Sequence, residues 1–189
     1  MSEPGATIVL DVGKTLSKLS LWSARGVLLG KCTRPNVPCT ADGVAVLDAA
    51  RIGAWVTENL SVLAAGHRVS HIIPVGHGAA VVALRNGELA FAPLDYEQDI
   101  PDAILAEYRA QRDIFAETGS PALPMGLNIG SQLHWMGGRM NGSMLLPWAQ
   151  YWSWFLCRIA SSEVTSLGCH SDLWNPATGA YSALAKRRG

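Results

Sequence analysis

Residues 6–18 read Ala-Thr-Ile-Val-Leu-Asp-Val-Gly-Lys-Thr-Leu-Ser-Lys, an apolar run that ends on a carboxylate and turns at once through glycine, lysine and threonine. Thr7, Ile8, Val9 and Leu10 are mostly β-branched and stop at a turn signal, which predicts a buried strand that delivers Asp11 to its exit. Gly13 permits a tight turn with exposed amides, and Lys14, Thr15 and Lys18 add donors around the one negative charge. A carboxylate able to hold a divalent metal or its water shell, beside amides and ammonium groups, is what the phosphates of a nucleotide require. The same residues also suit an ordinary β-hairpin turn, and the pentapeptide alone does not separate the two.

Two other phosphate motifs are excluded by spacing. A P-loop needs glycine five residues before Gly13, where Ile8 stands inside the strand. Gly76-His77-Gly78 is followed by Val81 where a dinucleotide fingerprint needs its third glycine or alanine.

The chain has 189 residues, enough for one domain with a sizeable core. Its 15 basic and 15 acidic side chains cancel, so charge gives no reason to expect nucleic acid or an acidic membrane as a partner. No apolar run is long enough to span a bilayer and the N-terminus lacks the charged and apolar regions of a signal peptide, so the expected location is the cytoplasm. Cys32, Cys39, Cys157 and Cys169 show no Cys-x-x-Cys spacing and read as reduced thiols rather than zinc ligands.

After the opening strand, residues 18–22 alternate, and a turn at residues 23–26 leads into an extended run over 27–33. This predicts an antiparallel three-stranded meander whose first hairpin is the Asp11 turn. Residues 42–48 read as a connector. Ile52, Trp55, Val56, Leu60 and Leu63 recur at helical spacing over 49–65, and Gly66 stops them. Residues 69–75 form a second short apolar strand running into Gly76-His77-Gly78. Its natural position is parallel to and beside the first, which brings both glycine turns to one edge of a sheet, where such sheets bind ligands. His77 between two glycines, with Asp95 and Tyr96 following a predicted hairpin over 79–92, reads as a binding group.

Residues 101–115 predict a helix with Ile104, Leu105, Tyr108 and Phe115 inward, and 128–136 a short helix bearing Gln132. From Pro147, a helix carries Trp148, Tyr151, Trp152, Phe155 and Ile159 as one apolar stripe, widened by Trp154. Residues 161–181 crowd Ser, Thr, Glu, His170, Asp172 and Asn175 together. That density suits either a solvated loop or a polyol site.

In this order the features resemble the FGGY carbohydrate kinases, whose fold group includes actin and hexokinase. The resemblance covers nearly the whole chain, as that family's N-terminal half. Asp11, Gly13, Lys14 and Thr15 match its Asp-x-Gly-Lys-Thr phosphate loop, Gly76-His77-Gly78 its Gly-x-His-Gly-like sugar motif, and residues 126–135 its Gly-Leu and Lys-Leu-x-Trp region with Gln132 replacing lysine. Leu94-Asp95-Tyr96-Glu97 departs from the family's Trp-x-Asp-x-Arg, and residues 168–174 are closer to a rhamnulokinase- or fuculokinase-like branch.

The resemblance implies an α/β domain of ribonuclease-H-like, actin-like ATPase type, with a mixed sheet, an antiparallel meander then parallel strands, and flanking helices. It implies ATP and Mg²⁺ as cofactors, a ketose or deoxyketose as substrate, and a C-terminal ATP-binding domain as partner, with a homodimer compatible. Asp11 would hold Mg²⁺ through water, and Gly13, Lys14, Thr15 and Lys18 would meet phosphate. His77, Gly78, Asp95, Tyr96, Asn128, Gln132, His170 and Asp172 would meet the sugar. No residue of this chain matches the catalytic base, which is expected beyond Gly189, so the isolated half is expected to be inactive. Two rivals remain at this level: a non-catalytic sugar-binding or assembly module of the same fold, and a nuclease, which would need further acids beside Asp11 and is disfavoured by the neutral charge.

Overall fold

A computed structural model describes residues 5–188. Its main sheet comes from β1 (Ala6–Val12), β2 (Leu16–Trp22), β3 (Leu28–Pro35) and, after a hairpin of β4 (Cys39–Ala41) and β5 (Val44–Val46) and helix α1 (Ala49–Ala64), from β6 (Val69–Gly76). The order in space is β3-β2-β1-β6. The first three strands are antiparallel, and β6 pairs parallel to β1. The meander, the helix and the parallel return strand are thus the expected ones, as are the mixed α/β sheet and its flanking helices.

Alternation in β1 explains the layering. Ala6, Ile8, Leu10 and Val12 point to one face and are buried, as are Leu19 and Leu21 of β2. Helix α1 and α5 (Trp148–Cys157) cover that face together, with Gly53 of α1 against the Phe155 ring of α5. Asp48 caps α1, accepting from the Arg51 amide at 3.2 Å. The opposite face bears Asp11, Lys18, Ile73 and Val75. Ile73 and Val75 remain 49% and 43% exposed.

A second sheet is built from β7 (Val81–Arg85), β8 (Glu88–Leu89) and β9 (Met144–Pro147), in the order β8-β7-β9. Strand β9 runs straight into α5. Helices α2 (Asp102–Gln111), α3 (Phe115–Thr118), α4 (Ile129–Met136), α6 (Val164–Gly168) and α7 (Ala183–Arg188), with the small hairpin β10 (Trp174–Asn175) and β11 (Ala180–Tyr181), complete the chain. Ile100, Leu105, Tyr108 and Leu184 form a separate minor core there.

Four local expectations need correction. Residues 42–48 are not a plain connector, because β5 folds back on β4 and Leu94 bridges to Val46. The second arm of the 79–92 hairpin shrinks to β8, which pairs only with Leu84 and Arg85, while β9 pairs along the other edge of β7. Phe115 does not face the core: α2 ends at Gln111, the chain restarts as α3, and the ring is 61% exposed. Ile159 is off the aromatic stripe, because Arg158 adopts a left-handed conformation (φ 60°) that ends α5, leaving Ile159 67% exposed.

The end of β6 is locked onto the start of α5. A Cβ on Gly76 would lie 2.8 Å from Trp148 Cδ1 and 3.2 Å from the Ala149 amide nitrogen, and neither ring nor backbone can yield cheaply. Gly76→Ala should therefore cost about 1–3 kcal/mol in urea unfolding. A midpoint unchanged from wild type would show that β6 and α5 are not in that contact.

Candidate functional site

The register of β1 and β6 sets Asp11 beside Val75 and Val12 beside Gly76, so both turns leave the sheet at one edge. On the β1 side, Asp11 faces Lys18 across the hairpin with their charges 3.0 Å apart, each side chain 40% exposed. The turn is tight: the Gly13 amide donates to Leu16 O at 3.0 Å. Asn36 pins it from just beyond β3, donating to Gly13 O at 2.8 Å and to Ser17 Oγ at 2.9 Å while its own amide donates to Thr15 O at 2.9 Å. Thr15 itself is exposed.

On the β6 side, His77 lies over Trp148, with ring centroids 5.6 Å apart, and meets the edge of Tyr96 at 5.0 Å. Its Nδ1 is 2.8 Å from Gly78 O, whereas Nε2 is buried without a protein partner among the described residues. Trp148 Nε1 donates to Val12 O at 3.1 Å, so one indole ring holds the ends of both strands.

The two sides meet through residues 95–97. Lys14 Nζ donates to Asp95 Oδ1 at 2.9 Å, pairs with Glu97, and stands 4.9 Å from the Tyr96 ring centroid. Burial alone would lower the Lys14 pKa, but hydrogen bonds to Glu97 and Asp95, with their charges, outweigh it and raise the pKa. The Asp95 amide donates to Ala45 O at 3.1 Å, which fixes this loop to β5.

The remaining predicted residues make their hydrogen bonds to other parts of the chain, and the His170 Nδ1 atom is buried without a partner among the described residues. Gln132 Nε2 donates to Ala79 O at 2.7 Å and also to Gly126 O, while its Oε1 is buried without a partner among the described residues. The Asn128 side chain braces residues 121–123, accepting from Leu123 N at 2.9 Å and donating to Pro121 O at 3.1 Å. His170 is left-handed (φ 55°), and its carbonyl accepts from the Ile129 amide at 3.0 Å. Asp172 does not open to the cleft. Its side chain is fully buried, and it accepts from Arg112 Nη2 at 2.6 Å, from Arg112 Nε at 3.2 Å and from the Tyr108 hydroxyl. Burial, then the Asp172 charge, pushes the Tyr108 phenol far up, so it stays a donor. Sequence reasoning passed over Asn36, Glu97, Arg112 and the indole NH of Trp148. The only local hint was Asn36 following Pro35 at a strand end.

Over 98% of its length the chain superposes on a carbohydrate kinase from Novosphingobium aromaticivorans with a TM-score of 0.93 at 58% identity. The solved structures that it matches are FGGY-type carbohydrate kinases. Against a xylulose kinase from Rhodospirillum rubrum the TM-score is 0.83 at 20% identity over 96% of the chain, and against Plasmodium falciparum glycerol kinase with ADP it is 0.74 at 12% over 99%. These two share the fold. The chain spans 40%, 40% and 42% of the three, respectively. No family model and no curated protein matches the sequence. No helix among the described residues is long and apolar enough to cross a membrane.

Two outcomes follow from the buried groups of this site. Arg112→Met would leave the Asp172 carboxylate buried and uncompensated, and should cost roughly 3–5 kcal/mol in urea unfolding. A loss below about 1 kcal/mol would mean that Asp172 has water. Burial lowers the His77 pKa, so the folded chain holds the ring neutral where the unfolded chain would protonate it. Its contribution to stability is then complete above the unfolded value of ~6.5 and is lost as pH falls through the lower folded value. His77→Asn should flatten the fall in unfolding midpoint between pH 7.5 and pH 5, and parallel wild-type and variant curves would contradict it.

Proposed function

We propose that the chain is the N-terminal, sugar-binding half of a two-domain enzyme that transfers the terminal phosphoryl group of ATP to a hydroxyl of a ketose or deoxyketose. The observation that carries this reading is the convergence of two turns at one sheet edge, in a chain 58% identical to a carbohydrate kinase over 98% of its length. One turn bears Asp11, Gly13, Lys14, Thr15 and Lys18. The other bears His77 and Gly78, with Tyr96 against the His77 ring, and Asp95 against Lys14 of the first turn.

The donor set suits Mg²⁺ with phosphate. Among the described residues no three acidic, histidine or cysteine side chains form a metal cage. Mg²⁺ keeps several waters and needs only one or two carboxylates when phosphates supply the rest. Asp11, half exposed at the end of β1, would hold the ion through its water shell. The ion supplies neutralisation of phosphate charge, the main electrostatic requirement of phosphoryl transfer.

Within this chain, the His77 Nε2 atom and the Asp95 carboxylate would bind and orient sugar hydroxyls, with Tyr96 as an apolar wall. Asn128, Gln132, His170 and Asp172, whose groups hold backbone and cations, would keep that wall rigid. The base that takes the hydroxyl proton would come from the other domain, and closure of the two would exclude water that otherwise wastes ATP.

Asp11→Asn in the two-domain enzyme should lower kcat about 10²-fold or more with sugar KM changed less than about threefold. An unchanged kcat would remove Asp11 from the metal role.

A further inference from the structure

The proposed phosphate site carries an unexpected charge balance. Lys14 is the ammonium group nearest the β1 turn on the sugar side, yet its charge is already met twice, by Asp95 Oδ1 at 2.9 Å and by Glu97. The three side chains together carry one net negative charge and so repel phosphate. The pairing is not a loose surface contact, because the Lys14 and Asp95 side chains are only 21% and 12% exposed, which limits screening by solvent. Tyr96 sits inside the same cluster. Its ring receives the Lys14 ammonium at 4.9 Å and meets the His77 ring at 5.0 Å, so three consecutive residues touch the proposed sugar wall and the proposed phosphate donor at once.

We propose that Asp95 and Glu97 hold Lys14 in the place of phosphate, so that a phosphate chain entering at the β1 turn displaces them and frees Asp95 for the sugar hydroxyls, which makes Lys14 the coupling residue between the two substrates. This rests on the phosphate and sugar reading above. Before ligands arrive, the ammonium and the Asp95 carboxylate satisfy each other and neither is left unpaired in a half-buried cleft. When phosphate takes the ammonium, Asp95 Oδ1 keeps its bond from the Glu97 amide at 2.8 Å and can accept from a hydroxyl instead of from Lys14. The exchange is reciprocal: a hydroxyl that engages Asp95 weakens its hold on Lys14 and so favours phosphate by the same factor. A chain with a neutral side chain at position 14 would bind each ligand without reference to the other.

The test is a cycle of variants of this 189-residue chain, each checked for an intact melting transition, titrated calorimetrically with inorganic tripolyphosphate at low salt. The D95N/E97Q pair should bind roughly tenfold tighter than wild type, and E97Q alone, which alters a side chain 57% exposed, roughly threefold tighter. With Lys14→Met also present, the same carboxylate changes should raise affinity no more than about twofold, since only the general field of the carboxylates is then removed. With Lys14→Arg the gain should persist. Equal gains with lysine and with methionine at position 14, or no gain at all, would overturn the coupling role while leaving the phosphate site standing. Absence of tripolyphosphate binding by every variant would overturn the coupling role and the phosphate reading together.

Discussion

The site depends on one side chain, the indole of Trp148. It is 1% exposed, its NH donates to Val12 O at the end of β1, its ring carries His77, and Gly76 of β6 packs against it with no room for a Cβ. Parallel pairing alone would align the two strands but leave their turns free. With Trp148 buried beneath both, the separation of the Asp11 turn from His77 is set by close-packed atoms rather than by loops. Trp148 is in turn held at the first position of α5, where its amide donates to Ala80 O at 3.1 Å, so β7 and β9 fix the ring that fixes the site.

Around that pivot the protein disposes of its polar groups in two ways. Some are consumed internally: Asp172 by Arg112 and Tyr108, Asn128 by residues 121–123, Asn36 by the β1 turn. Others among the described residues are left over: His77 Nε2 at the β6 turn, and Gln132 Oε1, Gln150 Oε1, Trp152 Nε1 and His170 Nδ1 elsewhere. Unsatisfied buried polar atoms are costly, each about 1–3 kcal/mol. Of these atoms His77 Nε2 is the one set beside a glycine turn, where a ligand hydroxyl can satisfy it.

Much of this was legible in the sequence because it rests on short-range pattern. Alternation in β1, helical spacing from Ile52 to Leu63, and Gly66 as a stop are local signals, and the parallel position of β6 follows from connection rules. The failures share a cause as well. β4 and β5 are three residues each, and β9 is four residues that pair with a strand about sixty positions earlier, so neither offers enough repeats to outweigh turn residues such as Gly43 and Gly142. Periodicity carries Phe115 and Ile159 into the core only when it runs past the breaks at Arg112 and Arg158, residues with no obvious stop character.

For the site, residue type was legible but partnership was not. Lys14 and Asp95 lie 81 positions apart, and Arg112 and Asp172 lie 60 apart. In each pair a sequence shows two charges of opposite sign and cannot say whether they face each other or a ligand. The fold decides it through burial. Asp172 is fully enclosed, where an ionised carboxylate persists only with a cation and further donors, and Arg112 and Tyr108 supply both. Asp95 keeps 12% of its side chain in solvent and has a single cation from a flexible lysine, an arrangement weak enough for a ligand to compete with. The same residue type thus serves as a strut in one place and as an exchangeable contact in the other, and the difference is the number of donors the backbone brings within reach.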